Sequence, residues 1–114
     1  EALAARMNAC AASLPREQSE VAEQGFALKP SVAVAPPRLA EFPVQLECRV
    51  AQFLDIGTRP HVAVVAEVLQ VHAHDGLLGP DLCCDGDRLG AIGRISGQGH
   101  YARLTDTFQM KQPG

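Results

Sequence analysis

Four histidines, four cysteines and a single tyrosine are the side chains of this chain best suited to bind a metal, move a proton or stack on a ring. In His72-Ala73-His74-Asp75 two imidazoles stand two residues apart, which on a strand puts them on one face, able to meet one ion. A third ligand would have to be His61, His100 or Asp75. A strand end running into a polar loop accounts for the same residues, and no metal is expected. Cys83 and Cys84 are adjacent and lack the two-residue spacer that lets thiolates converge on zinc. Cys10 and Cys48 fall within apolar patterns and read as small buried hydrophobes. Gly97-Gln98-Gly99-His100-Tyr101-Ala102 fits the dinucleotide fingerprint G-x-G-x-x-A. That fingerprint works only between a strand and a helix in a longer unit. Too little chain follows Ala102 for one, so the segment reads as a glycine-rich turn. His61 opens a strand directly after a turn, where an imidazole overhanging a barrel mouth could hydrogen-bond to or stack on a planar ligand. Tyr101 could stack likewise, although burying its own ring is the commoner use. No Ser-His-Asp or Cys-His set follows from spacing, and no P-loop pattern occurs.

The elements that must position these residues are legible from periodicity. Leu3, Met7, Cys10 and Leu14 recur at helical spacing, and Pro15 ends that helix. Ser19 to Gln24 predicts a second short helix, with Ser19 as N-cap and Gly25 as the stop. Phe26 to Pro37 is expected to be extended, given Pro30, Pro36 and Pro37. Val44, Leu46, Cys48 and Val50 alternate with Gln45, Glu47 and Arg49, which predicts a strand with the first set buried and the second wet. Phe53 breaks the alternation and places a bulge near Ala51-Gln52. Asp55 to Pro60 reads as a turn. His61 to His74 is apolar on both faces, as in a strand inside a barrel or between layers. The two strands form a long antiparallel hairpin. Asp75 to Gly90 reads as loop, and Gly93, Gly97 and Gly99 keep the next stretch flexible. Thr107 to Lys111 is a candidate closing strand. So few strands cannot close a barrel, and an open sheet with long apolar edges invites aggregation. The missing wall must come from an upstream segment or from a second subunit.

The chain has 114 residues, enough for one domain with one core. Its net charge of -3, without a basic run, argues against nucleic acid as a partner, because neutralising phosphates takes clustered Lys and Arg. Apolar stretches such as Val62 to Ala66 are far too short to span a membrane. Charges occupy Glu1 to Cys10 where a signal peptide needs its apolar centre, so a cytoplasmic location is expected. The chain opens at Glu1, without Met, directly into a helical pattern, and reads as one whose front part is missing.

Taken in order, several short strings resemble one known family. They are Glu1-Ala2-Leu3-Ala4-Ala5-Arg6-Met7-Asn8, Pro15, Ser19-Glu20, Gly25-Phe26, Pro30-Ser31, Pro37-Arg38-Leu39-Ala40-Glu41 and Pro43-Val44-Gln45-Leu46-Glu47-Cys48. They continue with His61-x-x-x-x-Ala66-Glu67-Val68, Val71-His72, Asp75-Gly76-Leu77-Leu78, Gly93-Arg94-Ile95-Ser96-Gly97 and Tyr101-Ala102-Arg103. The series resembles the flavin reductase-like family, in the branch of the nitrilotriacetate monooxygenase reductase component, and matches its C-terminal portion. The resemblance implies a mainly β fold with short helices, part of an antiparallel FMN-binding split β-barrel that forms a homodimer. Its groove near the subunit interface would hold FMN or FAD. NADH or NADPH would deliver the hydride, and a partner oxygenase would receive the reduced flavin. His61 matches the histidine of the family's H-x-x-x-x-G-E-V motif, on the nicotinamide side. Arg94 and Tyr101 match its glycine-flanked C-terminal motif, and Ser19 and Glu20 match a loop that approaches the flavin. Two readings of other kinds stand beside it: a bound-FMN electron carrier of the same fold, and a dimerisation remnant without a cofactor site. Ala66 stands where relatives carry Gly, and the family's N-terminal half, with its phosphate-binding segment, has no counterpart in these residues.

Overall fold

A computed structural model describes residues 1–58 and 61–114; Arg59 and Pro60, the end of the expected Asp55–Pro60 turn, lie outside the described residues. The chain is mainly β, with antiparallel pairing and short helices. In order it runs α1 (Ala4–Ala9), α2 (Glu20–Glu23), β1 (Leu28–Lys29), β2 (Arg38–Leu39), β3 (Val44–Ile56), β4 (His61–Ala73), α3 (Gly86–Leu89), β5 (Ile92–Arg94) and β6 (Tyr101–Arg103). The strands pair as three separate ladders, β1–β2, β3–β4 and β5–β6, so no barrel closes among the described residues.

The dominant feature is the β3–β4 hairpin, thirteen residues on each side. That makes it ~40 Å long at about 3.3 Å per residue. Its base pairs Val44 with Ala73, and its tip pairs Ile56 with His61. Ala51 is left without a partner between Val50 and Gln52, which is where the lost alternation placed a bulge. A second irregularity leaves Leu69 of β4 unpaired between the partners of Glu47 and Cys48.

The polarity expected for β3 is inverted at its base. Gln45, Glu47 and Arg49 do alternate with the apolar set, but Glu47 is the buried residue, at 2% exposure, while Leu46 and Val50 stand about half exposed. Cys48, expected to be a buried hydrophobe, is exposed as well. The cause is what covers each face. The β1–β2 connection lies on the polar side and puts two backbone N–H groups on the Glu47 carboxylate. The valines of β4, Val62, Val64, Val65, Val68 and Val71, are likewise exposed.

Packing concentrates at the front of the chain. Phe26, 7% exposed, lies under the Arg6 guanidinium, 4.0 Å from its ring centroid, and meets the Phe42 ring at 5.5 Å. Arg6 Nη1 donates to Glu41 Oε1 at 2.6 Å and Arg6 Nε to the Gln24 carbonyl at 2.9 Å. Glu41 also accepts the Ala27 N–H at 3.0 Å. One arginine thereby ties α1, the end of α2 and the approach to β3 around a single aromatic pair. The Arg6 bond, followed by the Ala27 N–H, holds the Glu41 carboxyl below its ordinary range.

Several local expectations change. α1 stops at Ala9 rather than reaching Leu14, because the chain tightens into three-residue turns at Ala11 and Ala12. Ser19 stands at the N-cap position of α2 without a side-chain capping bond, whereas Gly25 closes that helix at φ +62 as expected. Asp75 to Gly90 is largely loop, as expected, but includes the short helix α3. Asp85 caps α3 by accepting the Asp87 and Arg88 N–H groups, Arg88 reaches the Gly76 carbonyl, and Leu77 is buried at 5% exposure. The glycines after it do not prevent a hairpin, since Gly99 at φ +79 helps turn the chain between β5 and β6. Thr107 to Lys111 forms no strand, and Phe108 and Met110 stand in solvent.

Candidate functional site

The β5–β6 hairpin brings two of the expected site residues together. Arg94 and Tyr101 are cross-strand partners in register. Arg94 folds back on its own turn, with Nε donating to the Ser96 carbonyl at 3.1 Å and Nη2 to the Gly97 carbonyl at 3.2 Å. Tyr101, half-buried, donates its hydroxyl hydrogen to Asn8 Oδ1 of α1 at 3.4 Å. The first and last ordered parts of the chain are joined further by Arg103, whose guanidinium donates twice to the Glu1 carboxylate.

Glu20, next to Ser19, meets the same helix at Cys10. Cys10, which caps α1, directs its Sγ at the Glu20 carbonyl at 3.9 Å. Ser19 is exposed, and its carbonyl accepts the Glu23 N–H at 3.0 Å. The end of α1 is therefore flanked by Glu20 at Cys10 and by Tyr101 at Asn8. His61 is not part of this grouping. It is exposed at the tip of β3–β4, opposite Ile56 and ~40 Å from the hairpin base.

Two concavities lie near the base. A 520 Å³ apolar cavity is walled by Leu3, Met7, Phe42, Val44, Leu89 and Ile92, and a 400 Å³ groove runs between the 31–37 segment and β3. None of Ser19, Glu20, His61, Arg94 and Tyr101 lines either one. The ionised side chains at the larger cavity are those of Glu1 and Glu41. Such a wall suits the faces of a flat apolar ring and not a phosphate, which needs N–H donors and cations.

The histidine motif is used differently from a metal site. His72 Nε2 lies 2.6 Å from Glu47 Oε1, and His74 Nε2 lies 3.3 Å from the Ala40 carbonyl. His100 Nδ1 faces Ser96 Oγ at 2.9 Å. Among the described residues, no three His, Cys, Asp or Glu side chains converge as a metal site would require.

Periodicity missed Glu47. Its carboxylate accepts the Val32 and Ala33 N–H groups, faces His72, and lies 3.5 Å from Arg38 Nε. Burial alone would raise its pKa, but the Ala33, Val32 and His72 bonds outweigh that and hold it at about 2. One signal was present in the sequence. Once β3 and β4 pair, Gln45 lies opposite His72 and Glu47 opposite Gln70, which makes the acid and the imidazole diagonal neighbours.

Comparison with known proteins places this arrangement. A sequence model of the family described as the flavin reductase-like domain matches residues 2–93. Nitrilotriacetate monooxygenase component B from Bacillus cereus superposes with a TM-score of 0.88 at 24% identity, over 96% of this chain and 55% of that one. The 2-nitrobenzoate 2-nitroreductase of Pseudomonas fluorescens gives 0.85 at 27% identity, over 99% and 55%. A split-barrel-domain protein from Shewanella frigidimarina, assigned as a flavin reductase, gives 0.86 at 14% identity, over 99% and 57%. The chain spans about half the length of the curated relatives it matches, 48% and 52%. Among the described residues, no helix is long and apolar enough to cross a membrane.

Proposed function

The chain belongs to the flavin reductase-like domain family, and we propose that it is the C-terminal portion of an NAD(P)H:flavin oxidoreductase built on an FMN-binding split β-barrel. The family match across residues 2–93 carries this reading. FMN, or FAD in its place, would supply the hydride-accepting chemistry when bound, and the protein would position it and admit NADH or NADPH to one face. Arg94 and Tyr101 on β5–β6, with Ser19 and Glu20 across the end of α1, are the residues we assign to the flavin side. His61 is assigned to the nicotinamide side.

A homodimer follows from the same reading. Within one chain His61 stands at the hairpin tip, opposite Ile56, while Tyr101 lies on β5–β6 against α1. A groove shared by two subunits removes that separation, because the tip of one hairpin can then approach the base of the other. The exposed valines of β4 support such pairing, since apolar side chains clustered in solvent mark an interface. The Bacillus cereus neighbour is by name a component of a monooxygenase, which supports an oxygenase as recipient of the reduced flavin here. The cytoplasm is the proposed location.

Steady-state oxidation of NADH and NADPH, with and without added FMN or FAD, tests the proposal. Flavin-dependent oxidation is the expected result. Its absence together with tight flavin binding would make the protein a carrier, and the absence of flavin fluorescence quenching on titration would make it a dimerisation element. His61→Ala should slow hydride transfer about tenfold or more while leaving flavin affinity within a few-fold. Unchanged single-turnover rates would remove His61 from the site.

A further inference from the structure

The connection between β1 and β2, residues 30–37, is longer than a tight hairpin turn needs. Its ends are fixed, since Lys29 pairs with Arg38 and Arg38 donates from Nε and Nη2 to the Pro30 carbonyl, both at 3.2 Å. It is braced internally by Ser31 Oγ, which donates to the Pro36 carbonyl at 2.6 Å. Its hydrogen-bonded attachment to the β3–β4 hairpin is one carboxylate. The Val32 N–H donates to both oxygens of Glu47, at 2.9 and 3.0 Å, and the Ala33 N–H to Oε2 at 2.6 Å.

The two sides of this attachment differ sharply in burial. The Glu47 side chain is wholly out of solvent, while Val32 is 77% exposed. Val32 and Ala33, exposed in their side chains and clipped through their backbone by a buried anion, are held by the clip rather than by packing. Between the segment and the hairpin lies the 400 Å³ groove, with Ser31, Val34 and Pro37 on one side and Val44, Leu46 and Cys48 of β3 on the other.

We propose that residues 31–37 are a strap latched over this groove by the Glu47 carboxylate, and that breaking the latch frees the strap while β3–β4 stays paired. The proposal does not depend on the flavin assignment. The groups facing the carboxylate are His72 from β4, Arg38 from β2 and the two backbone N–H groups of the strap. Next along β3, Arg49 is already paired with Glu67 at 2.7 Å. The latch is acid-labile in one direction only. The folded-state pKa, about 2, lies below the ordinary 4.5, so the latch contributes fully above about 4.5 and is lost as pH falls toward 2.

Hydrogen exchange read by mass spectrometry, resolved to the 26–40 and 44–73 peptides, tests the strap. At pH 7, Glu47→Gln should lower protection at Val32 and Ala33 about tenfold and leave the hairpin within about twofold. Glu47→Asp, which keeps the charge and shortens the reach, should fall between. Retained protection at Val32 and Ala33 in Glu47→Gln would overturn the proposal, and so would a loss spread evenly through β3–β4. Should neither variant fold, the unaltered protein carries the test. Its strap amides should lose protection between pH 4.5 and 2, ahead of the hairpin amides, and simultaneous loss would refute the latch.

Discussion

The base and the tip of the β3–β4 hairpin share one ladder and differ in what covers them. At the base, Glu47 is sealed beneath a loop, and the partly exposed Arg6 and Glu41 close over the buried Phe26 and beside Phe42. At the tip, apolar groups stand outside, with Phe53, Ile56, Val62 and Val64 all more than half exposed. Hydrophobicity alone would assign the reverse. The difference teaches that the burial of Glu47 is decided by which backbone donors need an acceptor. The Val32 and Ala33 N–H groups would otherwise be orphaned under the loop, and a fully bonded carboxylate meets that need where an apolar side chain cannot. The tip meets no such demand from its own chain. Its surface is that of an element completed by contacts from elsewhere.

The comparison is tested most severely at Phe26. If the base is the self-sufficient core, Phe26→Ala should cost about 3 kcal/mol, combining lost transfer free energy with the cavity left beneath Arg6. Urea unfolding followed by circular dichroism measures it. A loss under about 1 kcal/mol would mean that the base is held by its ion pairs and loop bonds and not by the aromatic pair.

The tip should behave in the opposite way. Val62 and Val64, 53% and 54% exposed, point to one side of β4. The double substitution Val62→Ser, Val64→Ser should change the stability of the isolated chain by less than about 0.5 kcal/mol. The same change should weaken self-association about tenfold or more, because each buried valine contributes apolar area only once an interface forms. Sedimentation equilibrium on the two proteins distinguishes the cases. An unchanged dissociation constant would mean that this face of the hairpin is not where copies meet.

Much of this contrast was legible in the residues, and what was not has a physical reason. The long hairpin and the bulge at Ala51 followed from period-two alternation and its break at Phe53, since side-chain parity is a local property. Which parity is buried depends on what lies across the sheet, and that is non-local. Alternation therefore left Arg49 exposed as expected but gave Glu47 the wrong environment. The β5–β6 hairpin went unseen because its glycines suit a turn and a flexible run equally well. Thr107 to Lys111 illustrates the converse: a local pattern suited to a strand forms none here, because pairing is non-local. The Arg94–Tyr101 pairing could not be foreseen without that hairpin. The placement of Tyr101 against Asn8 joins residues at opposite ends of the chain, which no local pattern encodes.

The smallest expected effect lies midway along the hairpin, where neither regime holds. Arg49 Nη2 and Glu67 Oε2 are 2.7 Å apart across paired strands, with side chains 68% and 57% exposed. Here a charged pair has the good geometry of the base and the solvent access of the tip. Coulomb attraction is screened by water and salt, and ordering two long side chains offsets part of what remains. A double-mutant cycle with Arg49→Ala and Glu67→Ala should therefore give a coupling of about 0.5 kcal/mol at low ionic strength. The coupling should shrink further in 1 M salt, where the Debye length is roughly 3 Å. A salt-insensitive coupling above about 2 kcal/mol would show the pair to be buried in the assembled protein, and the covered region would then extend from the tip to the middle of the hairpin.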